Sequence, residues 1–214
     1  AIESRSGMAI PGGNHVIHDG DMVSILATPQ NAAMFFKKIG LKTHQVKNTI
    51  IVGGGTISYY LSKALLSMKI NVKIIEQNKD RCEVLSDLLP NATIINGDGT
   101  SKPLLMSEGL ADAESFVALT NFDEENVFLA LFAKSISDGK LVAKVNRLAF
   151  DDVIDSLEIG SVIYPKYITA DHILQYVRAM RNSIGSNVET LYHILDGKAE
   201  ALEFVIRENC PVLG

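Results

Sequence analysis

From residue 48 onward the chain alternates short apolar runs with longer stretches in which apolar positions recur every three or four residues. Runs of the first kind suit strands buried on both faces, and the second kind suits helices packed against them. The run Ile50, Ile51, Val52 predicts a first strand, a helix opens at Thr56, and a second strand ends at Glu76. A helix over roughly Lys79 to Leu89 follows, then a strand at Ala92 to Ile95 that runs into Asn96-Gly97-Asp98-Gly99-Thr100. After a short helix near Ser101 to Glu108, a strand at Ser115 to Leu119 leads through Thr120 and Asn121 into another helix. Asp123, Glu124 and Glu125 fill its first turn, where the helix dipole favours acids. Its Val127, Phe128, Leu129, Leu131 and Phe132 are apolar nearly all round, which predicts burial by more than one neighbour. Gly139 is expected to close it, with further strands at Leu141 to Val145 and Ser161 to Tyr164. Six strands with helices between them predict an α/β fold, a Rossmann-like doubly wound parallel sheet with ligand at its carboxyl edge.

The two ends break this rhythm. Residues 1–40 carry Pro11-Gly12-Gly13-Asn14 and Asp19-Gly20 turns, a strand at Met22 to Ala27 and a short helix from Asn31 to Ile39. A last helix near Ile168 to Arg181 places Ile173, Val177 and Met180 on one face, with Arg178 and Arg181 elsewhere. Such a helix docks onto a partner chain or packs back on its own sheet. Beyond it, Val188 to Leu195 and Ala199 to Ile206 read as two strands joined at Asp196-Gly197. Neither end is long enough to hold a core alone.

The segment NTIIVGGGTISYYLSKALLSMKINVKIIE, residues 48–76, places candidate chemistry on this framework. It has the order of a dinucleotide-binding βαβ unit: strand, glycine turn, helix, strand and acid. Gly53 permits the tight turn, and Gly55 lets the backbone approach a pyrophosphate with no Cβ in the way. The helix opening at Thr56 offers free N–H groups and the positive end of its dipole. Glu76 stands 21 residues after Gly55, near the spacing expected of an acid that binds ribose hydroxyls. Against a 2′-phosphate at ~4 Å that carboxylate would cost roughly 4 kcal/mol at an effective dielectric near 20, which favours NAD(H) over NADP(H). One position departs from the fingerprint: Ser58 stands where the third glycine belongs, and is expected to widen the helix–strand gap slightly and to weaken cofactor affinity rather than the fold.

Composition narrows the function classes. A hydrophobic fraction of 47% and a mean hydropathy of +0.16 provide ample core for one α/β domain and something smaller, while no apolar run approaches the ~18 residues of a spanning helix. Twenty lysines and arginines against 25 acids leave a net charge of −5 without a basic stripe, which argues against nucleic acid. Cys82 and Cys210 form no CxxC pair and suit a reduced, cytosolic protein. No signal peptide is visible, and the Ala1 start points to a trimmed or excised piece.

A hydride-transfer enzyme needs a substrate domain and a proton donor beside the nicotinamide. His15 and His18 fall in an amino-terminal turn, His44 in a linker, His172 on the last helix and His193 in the final strands, none at a strand's carboxyl edge in the nucleotide unit. His15 and His18 have no third ligand at a recognisable spacing, so no metal is expected. Nucleophile elbow, Walker lysine motif and paired carboxylates are all missing from the pattern, and the expectation is a binding protein without a catalytic residue. A fragment of an NAD-dependent oxidoreductase is the alternative.

The core resembles the regulator-of-potassium-conductance family, whose nucleotide domains are also called KTN or RCK domains, and within it the regulatory subunits of Trk-type potassium uptake. The likeness rests on IIVGGGTISYYLSKAL, IIEQNKDRCEVL, INGDGT, ALTNFDEENVFLALFAK, AKVNR and VIYPKYITADHILQYVR, and it covers residues 48–182 or so. It implies a domain plan of 1–42 as the closing part of a small RCK_C-type module, 43–183 as the nucleotide domain (RCK_N), and 184–214 as the opening part of a second small module. By the same resemblance, Gly53, Gly55, Thr56 and Ile57 line the pyrophosphate, and Glu76 holds the adenosine ribose with Arg81 beside it. Asp98, Gly99 and Thr100 border the adenine, although Asp98 reads equally as a turn acid capping the helix near Ser101. Thr120 and Asn121 close over the second half of the ligand, and Lys144 and Arg147 are phosphate or intersubunit contacts. The implied ligand is NAD(H), with ATP or ADP as the other candidates. The implied setting is cytoplasmic, as a dimer or tetramer at the inner face of the membrane, gating a separate potassium-translocating subunit of the TrkH/TrkG kind.

Overall fold

The computed structural model describes residues 1–4, 7–41, 45–147, 151–157, 159–182, 188–194 and 199–204. Its residues gather into two units, one of Ala1–His44 with Thr169–Gly214 and one of Gln45–Ile168. In the first unit, β1 (Ile2–Ser4) pairs antiparallel with both β2 (Gly7–Ala9) and β3 (Met22–Val23), giving a sheet of order β2-β1-β3. The expected strand from Met22 to Ala27 is thus confined to its first two residues, and β1 and β2 are too short to register in the sequence pattern. Helix α1 (Pro29–Lys38) begins two residues earlier than its apolar pattern suggests. Thr28 caps it by accepting from the Asn31 amide, and Pro29 starts the first turn without sacrificing a hydrogen bond.

The second unit holds six parallel strands: β4 (Asn48–Val52), β5 (Asn71–Glu76), β6 (Thr93–Asn96), β7 (Ser115–Ala118), β8 (Lys140–Lys144) and β9 (Ser161–Ile163). Their order across the sheet is β6-β5-β4-β7-β8-β9, so the direction of winding reverses between β4 and β7. The intervening helices are α2 (Thr56–Ser67), α3 (Lys79–Leu88), α4 (Lys102–Ser107), α5 (Asp123–Ile136) and α6 (Asp151–Ser156), with a 3₁₀ turn at Leu110–Asp112. Helix α6 is an addition to the sequence reading, its six residues being too few to show a period.

Because side chains alternate along a strand, the run Ile50-Ile51-Val52 feeds both faces of the sheet. Ile51 joins Ile74, Val117, Leu85 and Leu89 on the face covered by α2 and α3. Ile50 and Val52 join Phe116, Leu105, Leu129 and Ala133 on the face covered by α4 and α5. A third cluster, Val127, Ala130, Ala143, Val145 and Ile159, extends the core under α5 toward β9. Each fully buried aliphatic side chain contributes about 1.5–3 kcal/mol by leaving water, so these clusters set the sheet's order and register.

Two expectations about α5 are corrected. The helix is not buried all round: Leu129 is 5% exposed, but Phe128 is 69% exposed and faces away from the sheet. Nor does Gly139 close it, since the helix ends at Ile136 with the Ser137 amide donating to the Ala133 carbonyl at 2.9 Å. Gly139 instead passes the Ala113 carbonyl so closely that a Cβ would lie 2.4 Å from that oxygen.

Helix α7 (Pro165–Asn182) starts three residues before the predicted helix, and its Ile173 and Val177 are exposed. The side chains of Arg178, Met180 and Arg181 lie outside the described residues, as do Cys210 and the Asp196-Gly197 turn. The final pair, β10 (Val188–Ile194) and β11 (Ala199–Phe204), is antiparallel, with Leu195, Val205 and Ile206 outside the described residues.

Candidate functional site

Where the winding reverses, the connections leaving the carboxyl ends of β4 and β7 run to helices on opposite faces of the sheet and leave a crevice at its edge. The chain leaves β4 through Gly53, whose φ of +98° lies in the left-handed region. A Cβ there would also meet the Leu119 carbonyl oxygen at 2.8 Å, so glycine is required twice over. Gly54 is packed as tightly, with a virtual Cβ 2.7 Å from Leu85 Cδ1 and 2.9 Å from Glu76 Oε2. Gly55 differs, because a Cβ built on it would meet nothing within 4 Å and would project into open space.

Gly55 is the N-cap of α2, and the first helical hydrogen bond runs from the Tyr59 amide to its carbonyl at 3.1 Å. The amides of Thr56, Ile57 and Ser58 therefore precede the helical ladder and concentrate positive potential at the turn. Ser58, expected to widen the gap between helix and strand, is fully buried and its hydroxyl donates to the Gly53 carbonyl. The residue in the third-glycine position thus ties the helix to the turn.

Glu76, at the end of β5, faces the turn. Its Oε2 accepts from the Gly54 amide at 2.7 Å and its Oε1 from the Asn78 amide at 2.7 Å. A carboxylate has about four lone-pair sites, so two remain for the paired hydroxyls of a ribose. Arg81 donates Nε to the Gly54 carbonyl at 2.6 Å and Nη2 toward the Gly55 carbonyl at 3.5 Å. The Gly54 residue is therefore clamped from both sides, by the acid at its N–H and by the guanidinium at its C=O.

A cleft of about 740 Å³ opens above this turn, within the ~300–1,000 Å³ typical of ligand pockets. Of the residues singled out in the sequence, Gly53, Gly55, Glu76, Arg81, Asp98, Gly99, Thr100, Thr120 and Asn121 line it. Thr56 and Ile57 begin α2 with exposed side chains and do not line it, so only their amides bear on a ligand. Asp98 accepts at Oδ1 from the Thr100 amide at 2.9 Å and its hydroxyl at 2.7 Å, and these bonds hold its pKa below the usual carboxylate value. Its carboxylate organises its own turn rather than capping the following helix, whose N-cap Ser101 donates its amide to the Asp98 carbonyl at 3.0 Å. Gly99 is needed because a Cβ there would run into Val52 Cγ1.

Lys144 and Arg147 do not line the cleft. Lys144 closes β8 as a buried side chain, and burial pushes its ammonium pKa down while nearby Asp123 acts in the opposite sense. The Arg147 amide donates to Asp123 Oδ2 at 3.0 Å.

Sequence reasoning missed Gly54, Asn78, Phe122, Glu125 and Asn126. The middle of the glycine triplet could have been found from its spacing to Glu76, and Asn78 from its N-cap position two residues after the strand. Among the described residues, no group of three or more His, Cys, Asp or Glu side chains is arranged to hold a metal, and no helix is long and apolar enough to cross a membrane.

Comparison with known proteins places relatives around this geometry. The sequence pattern of the TrkA-N domain matches residues 49–165. A Trk system potassium uptake protein trkA homolog 1 from Methanosarcina mazei is 26% identical over 100% of this chain and 52% of its own length. The Trk system potassium uptake protein TrkA of Halomonas elongata is 31% identical over 96% of this chain and 43% of its own. The chain thus spans about half the length of the curated relatives it matches. Among solved structures, the GsuK channel superposes with a TM-score of 0.63 at 18% identity, over 89% of this chain and 34% of that one. The same channel bound to NAD gives 0.51 at 20% identity, over 78% and 30%.

Proposed function

The chain belongs to the TrkA-N domain family, and from that premise we propose that it is a nucleotide-sensing part of a potassium-uptake regulator, with NAD(H) as its ligand. The observation that carries this reading is the clamped glycine turn. Gly54 is held between Glu76 and Arg81, next to a helix N-terminus with unspent amides, at the switch point of the sheet. In this reading the pyrophosphate lies over Gly55 and the first amides of α2, including those of Thr56 and Ile57, where a Cβ would find open space. The adenosine ribose meets Glu76, the adenine lies along Asp98, Gly99 and Thr100, and the second half of the ligand reaches Thr120 and Asn121.

Charge favours NAD(H) over ATP or ADP. Glu76, Asp80, Asp98 and Glu125 line the cleft against Arg81 alone, whose guanidinium already donates to two backbone carbonyls. A polyphosphate therefore meets more repulsion than a dinucleotide does. The lining holds no histidine, lysine or tyrosine among the described residues, which supports sensing rather than hydride transfer.

As a sensor, the domain gates a separate TrkH/TrkG-like membrane subunit from the cytoplasmic face, in an oligomer whose paired domains change their relation when nucleotide binds. Shifting that equilibrium from 1:99 to 99:1 requires about 5.5 kcal/mol of differential affinity. Residues 1–42 and 184–214 complete the plan as parts of two small RCK_C-type modules flanking the nucleotide domain.

Calorimetric titration of the nucleotide-free chain with NAD⁺, NADH, NADPH, ATP and ADP, beside Glu76→Ala, tests the proposal. NADH should bind at micromolar concentration, NADPH about tenfold or more weakly, and the variant should lose the preference. Equal affinity for NADH and NADPH, or an unaffected variant, would remove Glu76 from the site.

A further inference from the structure

Asn126 lies one turn into α5, is fully buried and does not itself line the cleft, yet it holds the cleft's far wall in place. Its Oδ1 accepts from the Thr120 amide at 2.8 Å, and its Nδ2 donates to the Thr120 carbonyl at 3.1 Å and the Lys144 carbonyl at 2.9 Å. One side-chain amide thus bonds both the backbone N–H and the backbone C=O of Thr120 and ties them to the carboxyl end of β8. The strand ladder cannot do this, because the last β7–β8 register pair is Ala118 with Ala143. Only Asn or Gln presents two donors and an acceptor together; aspartate would lose both donors and bury a charge. Two further bonds between the Thr120 hydroxyl and the Phe122 backbone, both 3.2 Å, shape the loop locally but do not anchor it to the sheet.

We infer that Asn126 is the positioning residue for the half of the ligand that lies away from Glu76, acting through the Thr120–Asn121 loop. Sheet order sets the geometry: β5, which ends at Glu76, and β7, which leads into Thr120, flank β4 on opposite sides. The β7 side shapes contacts beyond the pyrophosphate, whereas the bonds that hold Gly54 come from Glu76 and Arg81 on the β5 side. The inference rests on the dinucleotide reading above, and it adds a separable consequence. A residue that merely stabilised the domain would weaken every ligand alike, whereas one that positions this loop weakens the whole dinucleotide and spares its adenosine half.

The test compares NADH with AMP by calorimetry on the whole chain, with circular dichroism to confirm folding. Asn126→Ala should weaken NADH about tenfold while AMP changes by less than about twofold. If that variant does not fold, because the Thr120 backbone groups and the buried Lys144 carbonyl lose their partner, Asn126→Gln decides. It keeps two donors and an acceptor but carries them on a longer stem, and should weaken NADH about threefold with AMP unchanged. Parallel losses for both ligands, or no loss for either, overturns the inference. A wild-type chain that binds neither NADH nor AMP overturns the dinucleotide reading itself, and this inference with it.

Discussion

Gly53 and Gly55 stand two residues apart and answer to different demands. Gly53 combines a φ of +98° with the Leu119 carbonyl 2.8 Å from where a Cβ would sit, so its glycine serves the fold. Gly55 has extended backbone, with φ −69° and ψ −172°, and open space at its Cβ position, so the fold does not require its glycine, and in the function proposed above that glycine serves the ligand. Gly53→Ala should therefore cost about 3 kcal/mol of stability in denaturant unfolding, from strained backbone and a clash with main chain. Gly55→Ala should stay within about 1 kcal/mol of the parent in the same measurement, yet weaken NADH about tenfold or more in calorimetry. Finding the two variants equally unstable would contradict this division. Both glycines were legible in the sequence, since strand, glycines and helix follow in the required order. The reason for Gly54 was not: only the fold brings Glu76 and Leu85 against it.

At the scale of an element, α5 shows how much a hydrophobic pattern leaves open. Val127, Leu129, Ala130 and Ala133 point into the core, but neighbouring Phe128 points out. A local run of apolar residues says that burial is available and not how many neighbours supply it. Leu129→Ala should cost about 2–5 kcal/mol, as expected for emptying a packed site, while Phe128→Ala should cost no more than about 0.5 kcal/mol at low protein concentration, as for a surface position. Chemical unfolding of the two variants side by side distinguishes these, and a large loss at Phe128 would show that its face is covered in solution. The same helix carries Asn126 and Asp123, which join the segments after β7 and β8. Nothing in residue spacing marks an asparagine in an apolar helix as a cross-strand bridge rather than a surface break.

For the molecule as a whole, the contacts gather residues 45–168 into one unit with its own three-part core. A piece spanning those residues should unfold cooperatively on heating, as small single domains do, and should keep the NADH affinity of the full chain within about threefold. A gradual, uncooperative melt would mean that the core needs the remaining residues. Switching is another matter: one domain with one cleft can bind a ligand, but only a second arrangement with a different affinity turns binding into a signal.

By itself the sequence determined the succession of strands and helices from β4 to β9 apart from the short α6, the parallel doubly wound class and the place of the glycine turn and its acid. These follow from periodicity and from residues whose backbone freedom or charge has few alternative uses. Tertiary structure alone decided that Ser58 bonds the turn, that Asp98 braces its own loop, that Lys144 is buried away from the cleft, and that Asn126 ties two strand ends together. The physical reason is one of range: local pattern sets the conformation of a segment, whereas the partner of a polar side chain depends on segments brought close only when the sheet assembles.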